Sequence, residues 1–423
     1  MISMFYVFAV IIAGLLAANI FGLLSLDMLF FLLFLLSIAV FVYIKRKKVK
    51  RQGILIIHRT KRGIDIIDNI AKKHPRFWNA LAVIGIFIAV PAMLIGSYYL
   101  INQAYQIYIG ESMVGGVGLL LPGPAPTPQT LPGLFIVPWW IWVIGIAVVM
   151  FPHEISHGIV CRLEKIRIQS VGWLLLLFLP GAFVEPDEKQ LQKAPRSTKL
   201  KVYAAGSFAN LVVALVLVII LSAWFALAFT QTGVAFAIVK DSPAHKANLT
   251  GSIVEFNGVQ IASHEDLSAE IAKYESGDVV TVKTVEIKDA IPTFRIGGDS
   301  RFLGVFDGGV AVITGEKTNT FEITLGEHPD KPGVAYLGVA NPAPAGRFAG
   351  DSLLFLYIIL FWSFLFSFGI GMVNLLPIKP LDGGLLFEEL TGALTKNNRL
   401  IVQVVTTGMI LILLFNLFGP AFV

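Results

Sequence analysis

Trp139–Cys161 reads WWIWVIGIAVVMFPHEISHGIVC. From Leu134 to Pro152 there is no charged side chain, and then His153, Glu154 and His157 appear together. An apolar run of this length reads as a membrane-spanning helix, and ionisable groups inside one are costly enough that a functional role is the default. Trp139, Trp140 and Trp142 mark one interface. Counting roughly 14 residues inward at about 1.5 Å each puts His153 about 21 Å below it, in the inner third of the bilayer. On a helix the two histidines lie about 40° apart around the axis and one turn apart along it, so two neutral imidazoles can grip one zinc ion. Glu154 sits beside them, placed to take a proton from water and pass it to a leaving amine. The bland alternative is a structural zinc or a helix-end histidine pair, which needs no acid–base residue.

Around this stretch the chain has the composition of a polytopic membrane protein: 56% hydrophobic and only 14% charged residues. Seven apolar runs are long enough to span, at about Met1–Leu24, Met28–Ile44, Trp78–Ile101, Leu134–Cys161, Val202–Phe229, Ser352–Asn374 and Leu400–Phe418. The first has no basic residue ahead of it and no clear cleavage site, so it reads as a helix rather than a signal peptide. The lone cysteine, Cys161, excludes an internal disulfide framework and reads as a small packing residue.

Basic residues set the orientation. Lys45, Arg46, Lys47, Lys48, Lys50, Arg51, Arg59, Lys61, Arg62, Lys72, Lys73 and Arg76 crowd one loop against only Asp65 and Asp68. That loop is expected in the cytoplasm, against anionic lipid head groups, with the N-terminus on the same side. The surplus of Lys and Arg is loop charge and does not imply a nucleic-acid partner. The segment 102–133 then falls outside and carries no Lys or Arg. Val171–Val184 is too short to span and has basic residues on both flanks, so it is expected to dip in and return as a re-entrant hairpin, with Gly172, Pro180 and Gly181 suiting a loop. His58 and His74 in the basic loop, like His245, His264 and His328 further on, read as solvated surface histidines.

From Gln231 to about Pro344 charges return and strand-like stretches appear, such as Val279–Val282 and Phe321–Leu325. Ser263 with Asp266 reads as a capping box opening a short helix. This is a soluble, mostly β insert, placed outside the cytoplasm by the alternation of spans. Its text SPAHKANL (Ser242–Leu249) followed by GSIVEFNG (Gly251–Gly258) resembles a PDZ domain of the bacterial protease type. Asn248 and Ser252 stand where that type usually has Gly and Asp. PDZ folds capture extended peptides by strand addition; a β-rich spacer that binds nothing is the alternative.

Two histidines leave zinc one protein ligand short. Glu164 lies on the same helix face as His157 but too far along the axis, while Glu185 and Asp187, after the hairpin, remain candidates. Asp382 stands apart by its setting, NLLPIKPLDGG (Asn374–Gly384), where two prolines break a span near its cytoplasmic end. Irregular backbone at that depth is tolerated where it lines a cavity or is buried in protein. An N-cap is the plain alternative for Asp382.

His-Glu-x-x-His in one span with Asn-x-x-Pro-x-x-x-x-Asp-Gly in a later one resembles the site-2 protease family of intramembrane zinc metalloproteases. The resemblance covers about Leu134 to Val423. It implies one zinc per chain held by His153, His157 and Asp382, with Glu154 as catalytic base. It implies substrate binding by Asn374 and Pro377, and Gly383 in a supporting place. A further family element, Gly-Pro-x-x-Asn, matches Gly206-Ser207-Phe208-Ala209-Asn210, with Ser207 in place of Pro; Gly206 and Asn210 are supporting residues. The implied organisation is 1–133 as three N-terminal spans with the basic loop, 134–230 and 345–423 as the two catalytic membrane halves, and 231–344 as a PDZ-like domain. The implied activity is peptide-bond hydrolysis within or beside the spans of membrane-protein substrates already trimmed by another protease, at the cell membrane, with the active site toward the cytoplasm. A membrane protease for prenylated tails would pair its motif with a downstream Glu-x-x-x-Asp, which this sequence lacks. The rival of another class is a non-enzymatic, zinc-containing receptor that binds peptides through its PDZ-like domain.

Overall fold

The computed structural model describes residues 2–47, 49–112, 115–124, 133–292, 309–329, 331–395 and 397–422. The expected outer loop 102–133 and the segment 287–317 of the insert therefore lie partly outside the described residues. The chain divides into two compact units, Met1–Leu215 with Trp362–Val423, and Val216–Phe361.

The first unit opens with helices α1 (Ile2–Ile20) and α2 (Leu26–Lys45), the latter capped by Ser25. The basic loop is not merely a loop. It folds into strands β1 (Lys50–Gln52) and β2 (Leu55–Thr60) and helix α3 (Ile64–Lys73). Helix α4 (Pro75–Tyr108) starts on a proline, which suits a first helical position, and buries Ala82, Gly85, Ala89, Met93, Gly96 and Leu100 along one face. Small residues on that face admit close neighbours: a Cβ at Gly85 would lie 3.1 Å from the Phe208 ring and one at Gly96 the same distance from Met372.

Strands β3 (Leu119–Gly123) and β4 (Leu134–Pro138) pair in parallel before helix α5 (Trp139–Leu163). The span expected from Leu134 thus begins five residues later, because Pro138 biases the residue before it toward extended backbone. Trp142, Gly145, Val149 and His153 repeat at three- and four-residue steps as the buried stripe of α5, which turns His153 inward. Strands β5 (Ile168–Leu176) and β6 (Leu179–Pro186) form the antiparallel hairpin, turning at Leu177 in left-handed backbone; Pro180 and Gly181 lie within β6 rather than at the turn. Helix α6 (Glu188–Lys193) is N-capped by Asp187. Helix α7 (Arg196–Ala228) follows, every residue from Ala204 to Phe208 buried.

The hairpin does not stand alone. Strand β2 pairs with β5 and makes a four-stranded sheet, β1-β2-β5-β6, with β6 at the edge. Gly172 permits this, since a Cβ there would collide with the His58 carbonyl. His58 is correspondingly not a solvated histidine: its ring stacks on Trp173, centroids 5.2 Å apart and planes within 3°. Arg59 forms a two-pronged bond to Glu185 at 2.9 and 3.3 Å, and Arg162 of α5 binds Asp68 of α3.

In the second unit, β7 (Phe229–Ile238), α8 (Pro243–Lys246), β8 (Ser252–Phe256), β9 (Val259–Gln260) and α9 (His264–Ile271) precede the long strands β10 (Val279–Pro292) and β11 (Gly309–Thr324). A small β12 (Gly326–His328)–β13 (Lys331–Tyr336) ladder and β14 (Val339–Phe348) complete it. The pairings β10-β11-β14-β7-β8 close through β8 on β10. Leu249, Ile253, Phe256, Leu267, Val282 and Leu325 fill its core. The capping box of Ser263 and Asp266 is formed. Asn248 holds left-handed backbone, φ 51°, which asparagine tolerates better than most residues.

Helix α10 (Asp351–Asn374) returns the chain to the first unit. After the break come α11 (Asp382–Leu394) and α12 (Asn398–Phe418). Among the described residues six helices, α2, α4, α5, α7, α10 and α12, are long and apolar enough to cross a membrane, and α1 adds the shorter apolar stretch Tyr6–Ile20. The chain is a multi-pass membrane protein carrying a mostly β unit.

Candidate metal centre

His153 and His157 descend one face of α5, and the break after α10 brings Asp382 to them. Leu381 is the N-cap of α11 and Asp382 its first helical residue, so the carboxylate is not spent on capping. The approach is tight. A Cβ at Gly383 would overlap the backbone of Leu375, and one at Gly384 the backbone of Ile378 and Lys379. These glycines let the broken segment fold against the start of α11.

Three donor atoms converge. His153 Nε2 and His157 Nε2 are 3.2 Å apart, and Asp382 Oδ2 lies 3.4 and 3.3 Å from them. Zinc at about 2.0–2.1 Å from each donor in a tetrahedral shell would separate donors by about 3.3–3.4 Å. The triangle fits that ion without rearrangement. Among the described residues these three form the one such group, and three protein donors is the number that catalytic zinc sites commonly use.

One helix supplies a partner to each donor side chain. His157 Nδ1 lies 2.8 Å from the Val202 carbonyl, to which its N–H donates, leaving Nε2 free to ligate. Asn210, fully buried, places its side-chain amide 3.1 Å from His153 Nδ1. Ser207, also fully buried, donates its hydroxyl to Asp382 Oδ2 at 2.9 Å. Val202, Gly206 and Asn210 share a face of α7 at four-residue spacing, and a Cβ at Gly206 would overlap both imidazoles. Of these, Gly206 and Asn210 were expected as supporting residues. Ser207 and the Val202 carbonyl were not; the four-residue spacing of Val202 with Gly206 and Asn210 offered a signal for Val202 alone.

Glu154 accepts a hydrogen bond from the Val184 backbone N–H at 2.8 Å, which ties it to β6. The other acidic candidates have separate employment. Glu185 is held by Arg59 and Ser170, whose hydrogen bonds keep its carboxyl below the usual range. Asp187 caps α6. Glu164 binds Lys201 at 2.7 Å and Thr198 at 2.5 Å. Cys161 packs in the core. Asn374 ends α10 half-buried and Pro377 is buried in the following turn; among the described residues no hydrogen bond joins Asn374 to the three donor side chains.

Comparison with known proteins agrees with this chemistry. Residues 141–415, well over half the chain, match the model of peptidase family M50, and the chain belongs to that family, the site-2 proteases. A Methanocaldococcus jannaschii protein described as uncharacterized is 29% identical over 86% of this chain and 84% of its own. Proteins carrying the name "Putative zinc metalloprotease" are similar too. One from Clostridium acetobutylicum is 23% identical over 60% of this chain and 87% of its own, and one from Bartonella henselae 25% identical over 65% and 99%. Family and donor set together make this a membrane metallopeptidase with zinc as its metal.

Proposed function

We propose that the protein is an intramembrane zinc endopeptidase that hydrolyses peptide bonds within or beside the membrane spans of other proteins. The convergence of His153, His157 and Asp382 at donor spacings that suit tetrahedral zinc, with Glu154 adjacent, carries the reading. One zinc held there supplies Lewis acidity toward the scissile carbonyl and the attacking water. Glu154 takes the water's proton and delivers it to the leaving amine; the Val184 N–H occupies one of its oxygens and leaves the other to do so.

Strand β6 is the sheet edge beside Glu154. Because the Val184 N–H points away from β5, the two-residue period turns the N–H and C=O of Ala182 outward as well. An unwound substrate segment pairs there as an added strand, with Asn374 and the Pro377 turn holding its far side. In this reading α1 is a seventh span, the β5–β6 hairpin is re-entrant, and the basic loop faces the cytoplasm of a cell-membrane protein. The β unit of residues 231–344 acts as a PDZ-like, extracytoplasmic filter that admits substrates already shortened by another protease.

The test is purified, zinc-loaded protein incubated with single-span substrates beside Glu154→Gln, with products identified by mass. The parent is expected to cut within the span, and Glu154→Gln to lose at least about 10²-fold in rate while keeping its zinc. Equal cleavage by the two would remove Glu154 from the mechanism. A zinc-bound parent that cuts nothing across a broad panel would favour a peptide-binding receptor.

A further inference from the structure

Serine in the middle of a helix ordinarily turns its hydroxyl back to the carbonyl four residues earlier. Ser207 sends it across to another helix, onto Asp382 Oδ2 at 2.9 Å. That oxygen is also the one facing both histidine Nε2 atoms. A carboxylate oxygen has two in-plane lone pairs, so Oδ2 can accept from the hydroxyl with one and still offer the other to a metal. The hydroxyl has no water to fall back on, since Ser207 is 0% exposed.

We propose that Ser207 is a positioning residue that holds Asp382 as a one-oxygen metal ligand and thereby sets the affinity and coordination number of the centre. The inference rests on the zinc-centre reading above. With the hydroxyl present, Oδ2 is fixed over the two imidazoles and the second carboxylate oxygen is kept off the metal. Without it, the carboxylate can rock until both oxygens reach the ion, which raises coordination from four toward five and loosens the site. Ser207 is fully buried and its hydroxyl engages Asp382, so its effect on the centre passes through that carboxylate.

The experiment measures zinc affinity by chelator competition, and visible absorption after loading with Co2+, for the parent, Ser207→Ala, Ser207→Thr and Ser367→Ala. Ser367 is a control: it is buried in α10, and its hydroxyl has no hydrogen-bond partner among the described residues. Ser207→Ala is expected to bind zinc about 10–100-fold more weakly, the usual range for losing a partner of a metal ligand. Its Co2+ bands should fall from the intense tetrahedral pattern to the weaker five-coordinate one. Ser207→Thr, which keeps the hydroxyl, should restore both, and Ser367→Ala should match the parent. Ser207→Ala binding zinc within twofold of the parent, with the same Co2+ spectrum, would overturn the proposal. So would an equal loss in Ser367→Ala, which would mark a general packing effect. A parent that binds no zinc would overturn the metal reading itself, and this inference with it.

Discussion

Gly206 illustrates how narrowly the centre is built. It sits where α7 passes the two imidazoles, and any side chain there must displace both rings. Gly206→Ala adds a single methyl, yet overpacking of this kind costs about 1–3 kcal/mol, and the histidine pair moves off its 3.2 Å spacing. Both the melting temperature and the zinc content are expected to fall. Gly369 in α10 is the contrasting case, since a Cβ there would meet nothing within 4 Å. Gly369→Ala should be neutral or stabilising by up to about 1 kcal/mol, through helix propensity alone. Thermal unfolding in detergent, with metal analysis of the same samples, separates the two. At this scale the convergence of His153 and His157 was legible in sequence because helical spacing is local. The role of Ser207 was not, because its partner is far along the chain and a serine within a span announces nothing by itself.

Among the elements, a segment that turns back on itself was expected at Val171–Val184 and β5 and β6 do pair there, while their reinforcement by β2 was hidden. A segment crowded with Lys and Arg reads as orientation charge, and the pairing of its one apolar strand, Leu55–Thr60, depends on Gly172 opening the far face. The same blindness applied to Glu185, which sequence left open as a metal ligand and which Arg59 instead engages. Glu185 is depressed by its hydrogen bonds from Arg59 and Ser170. A carboxylate whose folded pKa lies below its unfolded value contributes stability above the unfolded value and loses it as pH falls through the folded one. Arg59→Met keeps the side-chain stem and removes the charge. It should speed amide exchange in β6 near pH 7, and the difference from the parent should vanish once the pH drops below the depressed pKa of Glu185. Equal exchange at pH 7 would show that Arg59 does not brace the hairpin. The correction at β4 has the same origin: the apolar text from Leu134 to Pro138 suits a span, but backbone ahead of proline runs extended.

For the whole molecule, the decisive contact joins regions more than two hundred residues apart in the chain: α5 carries the histidines, and the break between α10 and α11 carries Asp382. Between them lies the β unit, which forms its own core and leaves the two membrane segments to meet within the first unit. Composition made the membrane class plain, and the recurrence of apolar runs gave most of the helices. The meeting of α5, α7 and α11 was visible only through family resemblance, because apolar helices pack by small residues and shape rather than by a pattern local to each. The most direct test of that meeting is zinc content per chain in the purified parent, Asp382→Ala and Glu185→Ala. The account predicts one zinc in the parent and in Glu185→Ala, and loss of tight binding in Asp382→Ala. Full zinc retention in Asp382→Ala, or its loss in Glu185→Ala, would contradict it.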